Sequence, residues 1–221
     1  MALLTTVLFD LDGVLVDSHR LHYQSWQSLA DDLGLRFNEM LGDTFRGMDR
    51  HECVRVLFEE FNRRPAPGKD RVHELTEVKN TLYQKLLAKA TPEDLILPGA
   101  TGLLGACRSH GIQIVVASGS KNAKQVLDRA ALTSMVDIVI DRFDVAITKP
   151  DPSIFIVALE RAKAKAVNAV GIEDATLGVR ALHRAGVKAI GVGHHVEGAD
   201  LHLDSVREVT VDAMRALVAA A

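Results

Sequence analysis

Phe9-Asp10-Leu11-Asp12-Gly13-Val14-Leu15-Val16-Asp17 is the stretch on which the reading of this chain turns. It continues the apolar, β-branched run Thr5 to Phe9, which reads as a buried strand, and it sets two carboxylates two residues apart just past that strand. Open α/β sheets bind ligands outside the carboxyl ends of their strands. If the extended backbone persists to Asp12, residues 10 and 12 point to the same side, so that one carboxylate could attack while the other handles a proton. Asp-Leu-Asp-Gly is also an ordinary polar turn with a left-handed glycine. Taken alone, the pair leaves the two readings about even.

Further runs of the same kind follow at Ile112 to Ala117, Val136 to Ile140, Asn168 to Ile172 and Val187 to Val192. Helical patterns separate them: Ala100 to Ser109, Lys121 to Ala130, Pro152 to Ala162 and Ala175 to Ala185. Strands alternating with helices predict βαβ units around a parallel sheet, an α/β fold. From about Ser18 to Pro92 the alternation breaks, leaving only helical periodicity, with Leu75, Val78, Leu82 and Leu86 on one stripe. A connection that long is not a simple loop, so an all-helical domain over 18–92 is expected, inserted into an α/β core of 1–17 and 93–221. Arg63 to Gly68 reads as a turn between its helices, and Leu97-Pro98-Gly99 marks the return to the core.

Three more segments carry polar groups where strands should end. Val115-Val116-Ala117-Ser118-Gly119-Ser120-Lys121-Asn122 places hydroxyls and a glycine at an expected helix start, which suits an anion as well as an ordinary cap. Thr148-Lys149-Pro150-Asp151-Pro152 sets a lysine before a helix opened by proline; an isolated lysine is commonly a solvated charge. Gly171-Ile172-Glu173-Asp174 ends a strand in paired carboxylates, themselves common at helix starts. Four such coincidences at carboxyl ends of strands point together to one crevice. Its donors are hard oxygens, which suit Mg²⁺.

The bulk numbers narrow the partners. With 221 residues, 48% of them apolar, the chain can bury a sizeable core. A formal charge of −3 gives no attraction for nucleic acid or an anionic membrane, and no basic stripe or aromatic platform is present. Cys53 and Cys107 lack neighbours at metal-ligand spacing and read as buried or idle thiols. The apolar stretch from Met1 to Phe9 is too short for a signal segment or a spanning helix, so a cytoplasmic protein, monomeric by default, is expected.

In their order, Asp10/Asp12, Ser118, Lys149 and Glu173/Asp174 resemble the four signature motifs of the haloacid dehalogenase superfamily. The resemblance implies a Rossmann-like parallel core with an inserted helical cap that closes over the site, and phosphoryl transfer through an aspartyl-phosphate. By it, Asp10 is the nucleophile, Asp12 the general acid/base, Ser118 the phosphate-oxygen binder and Lys149 the charge stabiliser. Mg²⁺ would be held by Asp10, the backbone carbonyl of Asp12, Glu173 and Asp174. His22-Tyr23-Gln24-Ser25-Trp26, Arg46-Gly47-Met48-Asp49-Arg50, Val78-Lys79-Asn80 and Ser118 to Asn122 extend the resemblance to the β-phosphoglucomutase branch. There Arg50 would hold the distal phosphate with Ser120, Lys121 and Asn122, while Lys79 and Gly47 contact the sugar. His22 would belong to a hinge or be a satisfied structural histidine, and Trp26 is either a ligand platform or cap core. Ala175, Gly119 and Arg46 depart from the branch's pattern and bear on the substrate more than on the chemistry. The implied substrate is a small sugar phosphate, and a phosphatase acting through the same intermediate is the alternative.

Overall fold

The computed structural model describes residues 3–194 and 196–220. In chain order the first elements are β1 (Thr6–Phe9), α1 (His19–Asp32), α2 (Glu39–Thr44), α3 (Arg50–Arg55) and α4 (Lys69–Leu87). They are followed by α5 (Pro92–Leu95), α6 (Ala100–Ser109), β2 (Gln113–Ala117), α7 (Ala123–Arg129) and β3 (Ile138–Ile140). The chain continues through α8 (Ser153–Ala162), β4 (Ala169–Glu173), α9 (Thr176–Arg184), β5 (Lys188–Val192), β6 (Leu201–Leu203) and α10 (Val211–Ala219). Two compact units result, divided between Asp17 and Ser18 and between Ala90 and Thr91.

The α/β unit is built on a sheet of order β3-β2-β1-β4-β5-β6 in which every pairing is parallel. Strands buried on both faces need continuous apolar runs, and β1 supplies one, with Val7, Leu8 and Phe9 all fully buried. Side chains alternate between the faces. Leu8, Val115, Ala117 and Ile140 join Phe155 of α8 and Val179 and Leu182 of α9 in one cluster, while α6 and α10 pack together against β2 and β4. The chain builds outward from β1 to β3 and then crosses back to β4 on the other side of β1. That reversal of strand order is where open sheets of this kind bind ligands.

Among the described residues, five of the six strands follow the apolar runs of the sequence. The sixth, β6, does not: Leu201-His202-Leu203 is too short to show a pattern, and it becomes a strand by pairing with Ile190 to Val192 of β5. The helix expected from Lys121 begins instead at Ala123, because residues 120–122 form a turn that hydroxyl groups hold.

Only helices occur between residues 18 and 90, and a π-turn, Val56–Phe61, extends α3. Trp26, Leu29, Phe45, Val54, Leu57 and Leu75 form the core of this unit. The buried face of α4 is not the stripe that the sequence suggests: Leu75, Thr76, Lys79, Tyr83 and Leu87 face inward, while Val78 is 40% exposed. Lys79 takes an inward position because His22 and the rings of Trp26 and Tyr83 surround its ammonium. Loop 63–68 lies where the prolines and glycine predict it. Among the described residues, no helix is long and apolar enough to cross a membrane.

Candidate active site

Strand register brings the first groups together. Phe9 lies beside Val116 of β2 and Ile172 of β4, so the next residues, Asp10, Ala117 and Glu173, reach the carboxyl edge of the sheet side by side. The Asp10 amide donates to the Ile172 carbonyl at 2.9 Å. Lys149 comes from the loop between β3 and α8, with its side chain 8% exposed. Its Nζ donates to Asp10 Oδ1 at 2.5 Å, Glu173 Oε1 at 2.6 Å and the Ala117 carbonyl at 3.1 Å. An ammonium has three N–H groups, and all three are used. The ring of the fully buried Phe155 lies 4.9 Å from the same nitrogen, a cation–π contact in a desolvated setting.

Glu173 is held from the other side as well, since its Oε2 accepts from the amides of Asp174 and Ala175, both at 3.1 Å. Asp10, Glu173 and Asp174 each offer a carboxylate oxygen within 4.8 Å of the others. Of these three carboxylates, Asp10 and Glu173 are both bonded to the Lys149 ammonium. Burial raises the pKa of Asp10 well above its ordinary value; Glu173, Asp174 and Asp12 push the same way, and Lys149 opposes them. Glu173 is raised first by burial and then by Asp174, again against Lys149. Burial by itself would lower the Lys149 ammonium, yet Asp10 and Glu173 outweigh it and hold its pKa above the usual lysine value. A cluster of hard carboxylate oxygens in a dry setting could hold a divalent cation.

Asp12 stands slightly apart. The strand ends at Phe9 rather than running on to Asp12, and the chain turns at Gly13, whose φ of +88° glycine adopts at little cost. The carboxylate of Asp12 lies outside the group of three, although its charge is felt at Asp10. Past β2, the buried Ser118 accepts from the Ser120 amide through its Oγ, and Ser120 Oγ accepts from the Asn122 amide, both at 3.1 Å. These bonds shape a turn that carries Ser118, Ser120, Lys121 and Asn122 into α7.

A second group forms inside the helical unit. Lys79 Nζ lies 2.7 Å from His22 Nδ1, 5.3 Å from the Trp26 ring and 5.1 Å from the Tyr83 ring, and His22 stacks on Tyr83 at 4.3 Å. An ammonium only donates, so Nδ1 accepts and the proton of the neutral imidazole sits on Nε2. Desolvation lowers the His22 pKa well below its usual value, helped by the charges of Lys79, His19 and Arg50. Trp26 is 4% exposed and packs edge-on against Phe45, a core position whose ring also faces the Lys79 charge. Gly47 takes a φ of +69° in the turn before α3. Arg50 opens that helix next to Asp49, whose side chain accepts from the His51 amide.

Sequence reading passed over the Ala117 carbonyl, Phe155 and Tyr83. A backbone carbonyl carries no residue signature, and aromatic residues on apolar helix faces read as core; the lysine preceding α8 was the one available hint for Phe155.

A family model described as haloacid dehalogenase-like hydrolase matches residues 4–186. A beta-phosphoglucomutase of Bacillus subtilis is 33% identical over 208 residues, 93% of this chain and 92% of that protein. A phosphorylated carbohydrates phosphatase of Thermotoga maritima is 28% identical over 204 residues, 90% of each chain. The crystal structure of a beta-phosphoglucomutase from Clostridium difficile is 29% identical, with a TM-score of 0.90 over 99% of this chain and 98% of that one.

Proposed function

Since the chain belongs to the haloacid dehalogenase-like hydrolase family, we propose that it transfers a phosphoryl group on a sugar phosphate through an aspartyl-phosphate at Asp10. In this reading it interconverts β-glucose 1-phosphate and glucose 6-phosphate through the 1,6-bisphosphate, acting as a cytoplasmic monomer. The observation that carries the chemistry is the buried Lys149 ammonium bonded at once to Asp10 and Glu173 at the switch point of the sheet.

An Asp10 oxygen forms the bond to phosphorus as the ester P–O bond breaks in line with it, which divides the transfer into two steps. Asp12 gives its proton to the departing alkoxide and takes one from the hydroxyl that attacks the aspartyl-phosphate. Lys149 lies against the nucleophile and opposes the charge that develops on the phosphoryl oxygens, and Ser118 donates to one of them. Asp10, Asp174 and the Asp12 carbonyl would hold Mg²⁺, which when bound neutralises phosphoryl charge that one ammonium cannot. Both oxygens of Glu173 are engaged by Lys149 and backbone amides, which favours a role in placing Lys149 and the acidic loop over direct ligation. In the helical unit, Arg50 would bind the distal phosphate together with Ser120, Lys121 and Asn122, and Lys79 and Gly47 the sugar. His22 orients Lys79, and Trp26 backs it.

The beta-phosphoglucomutase at 33% identity supports the mutase. The phosphatase of phosphorylated carbohydrates at 28% supports the second reading, in which water takes the phosphoryl group. Phosphorus NMR with Mg²⁺, β-glucose 1-phosphate and a catalytic amount of the 1,6-bisphosphate separates them. Accumulation of glucose 6-phosphate is expected; inorganic phosphate as the main product would move the chain to the phosphatases.

A further inference from the structure

We propose that Gly178 is a positioning residue for the Glu173–Lys149 pair: the missing side chain on α9 is what lets the Glu173 carboxylate lie where it orients the Lys149 ammonium. The inference deepens the proposed phosphoryl-transfer site and rests on that reading for its effect on rate.

Gly178 is the third residue of α9 and is buried. Its φ is not positive, so the backbone gives no reason for glycine, and alanine is the better helix former. Space gives the reason. A Cβ at this position would lie 1.8 Å from Glu173 Oε1, 1.9 Å from its Cδ and 2.5 Å from Oε2. Oε1 is the atom that accepts from Lys149.

The carboxylate has little room to yield, because Oε2 is fastened to the amides of Asp174 and Ala175. Drawing the helix back would lift Leu182 off the strand beneath it and open a gap in the core. Leu182, one turn further along α9, already fills the space over Gly171 of β4, where a Cβ would lie 2.2 Å from its Cδ2. A methyl at 178 therefore displaces the Glu173 carboxylate, and Lys149 loses the anion that, besides Asp10 itself, holds it in place. Gly105 supplies the contrast: it too lies within a helix, α6, but nothing stands within 4 Å of its absent Cβ.

The test is a cycle of Gly178→Ala, Glu173→Asp and the double variant, with Gly105→Ala as control. Glu173→Asp withdraws the carboxylate from the new methyl while keeping a negative charge for Lys149. Two readouts are taken: kcat and KM for phosphate release from acetyl phosphate with Mg²⁺, and the melting midpoint without metal. Gly178→Ala should lower kcat about 100-fold with little change in KM, the mark of an interaction expressed in the transition state. Adding Glu173→Asp, harmful by itself, should recover about tenfold and raise the metal-free midpoint, a reversal of sign that separate packing defects do not produce. Gly105→Ala should match the parent in kcat and KM and melt at or slightly above it.

Losses that simply add in the double variant would overturn the proposal, as would Gly178→Ala with parental kcat and an unchanged or higher midpoint. If the parent releases no phosphate, the phosphoryl-transfer reading fails, and the metal-free melting cycle still decides the Glu173–Gly178 contact. If Gly178→Ala does not fold, a folded double variant supports the proposal and an unfolded one refutes it.

Discussion

Replacing Lys149 by methionine keeps the length of a buried side chain and removes its charge, leaving Asp10 and Glu173 face to face across the gap. Both bonds to Lys149 are short, 2.5 and 2.6 Å, and the Glu173 and Lys149 side chains are 1% and 8% exposed. Solvent therefore does little to replace the lost partner. Removing one member of a buried ion pair costs about 3–5 kcal/mol. The carboxyls can escape part of that cost by taking up a proton. For a group with an ordinary pKa of about 4 the uptake costs roughly 1.4 kcal/mol per pH unit, hence about 5 kcal/mol at pH 8 and about 1 kcal/mol at pH 5. The penalty should thus be full at pH 8 and shrink toward about 1–2 kcal/mol at pH 5. The sign follows from linkage. A carboxyl whose folded pKa is raised binds more protons folded than unfolded, so its destabilisation grows as pH rises from the unfolded pKa through the folded one. Urea unfolding of parent and Lys149→Met in EDTA at the two pH values measures this directly. At pH 8 the difference corresponds to a melting point lower by about 6–20 °C. A stability gap under about 1 kcal/mol at pH 8, or one that does not change with pH, would refute the reasoning.

Asp10→Asn keeps the shape of the nucleophile without its charge, so the fold should persist while phosphate incorporation into the protein, followed by intact mass, disappears; appreciable turnover would sink the mechanism. Arg50→Ala should cut isomerisation of β-glucose 1-phosphate by at least about tenfold more than phosphate release from acetyl phosphate, which has no distal phosphate to hold. Equal losses would argue against a distal role. His22 titrates well below its usual value in the folded chain, so the folded state binds fewer protons, and its contribution is present above pH about 6.5 and lost as pH falls below it. His22→Gln keeps an acceptor for Lys79 and should flatten that decline between pH 7 and 5 in thermal unfolding; an unchanged slope would place the titration elsewhere.

What the sequence determined by itself is whatever a few neighbouring residues express. The apolar runs before Asp10, Ser118 and Glu173, each broken by glycine or paired acids, mark buried strands and their carboxyl ends. The alternation with helical patterns sets the parallel α/β class. β6 lay beyond that reach because its three residues are a strand only through β5. The inward face of α4 lay beyond it because Lys79 is buried by virtue of His22, 57 residues away, and the rings of Trp26 and Tyr83.

Tertiary structure decided the site's working geometry. Lys149 meets Asp10 across 139 residues and Glu173 across 24, and no local pattern encodes that all three of its N–H groups are spent there. Gly178 reads as an unremarkable helix glycine until α9 is docked on β4 with Glu173 beneath it. Periodicity and turn chemistry act within a few residues, whereas charge pairing, desolvation and the room left for a methyl depend on strand register and helix packing, which only the assembled fold supplies.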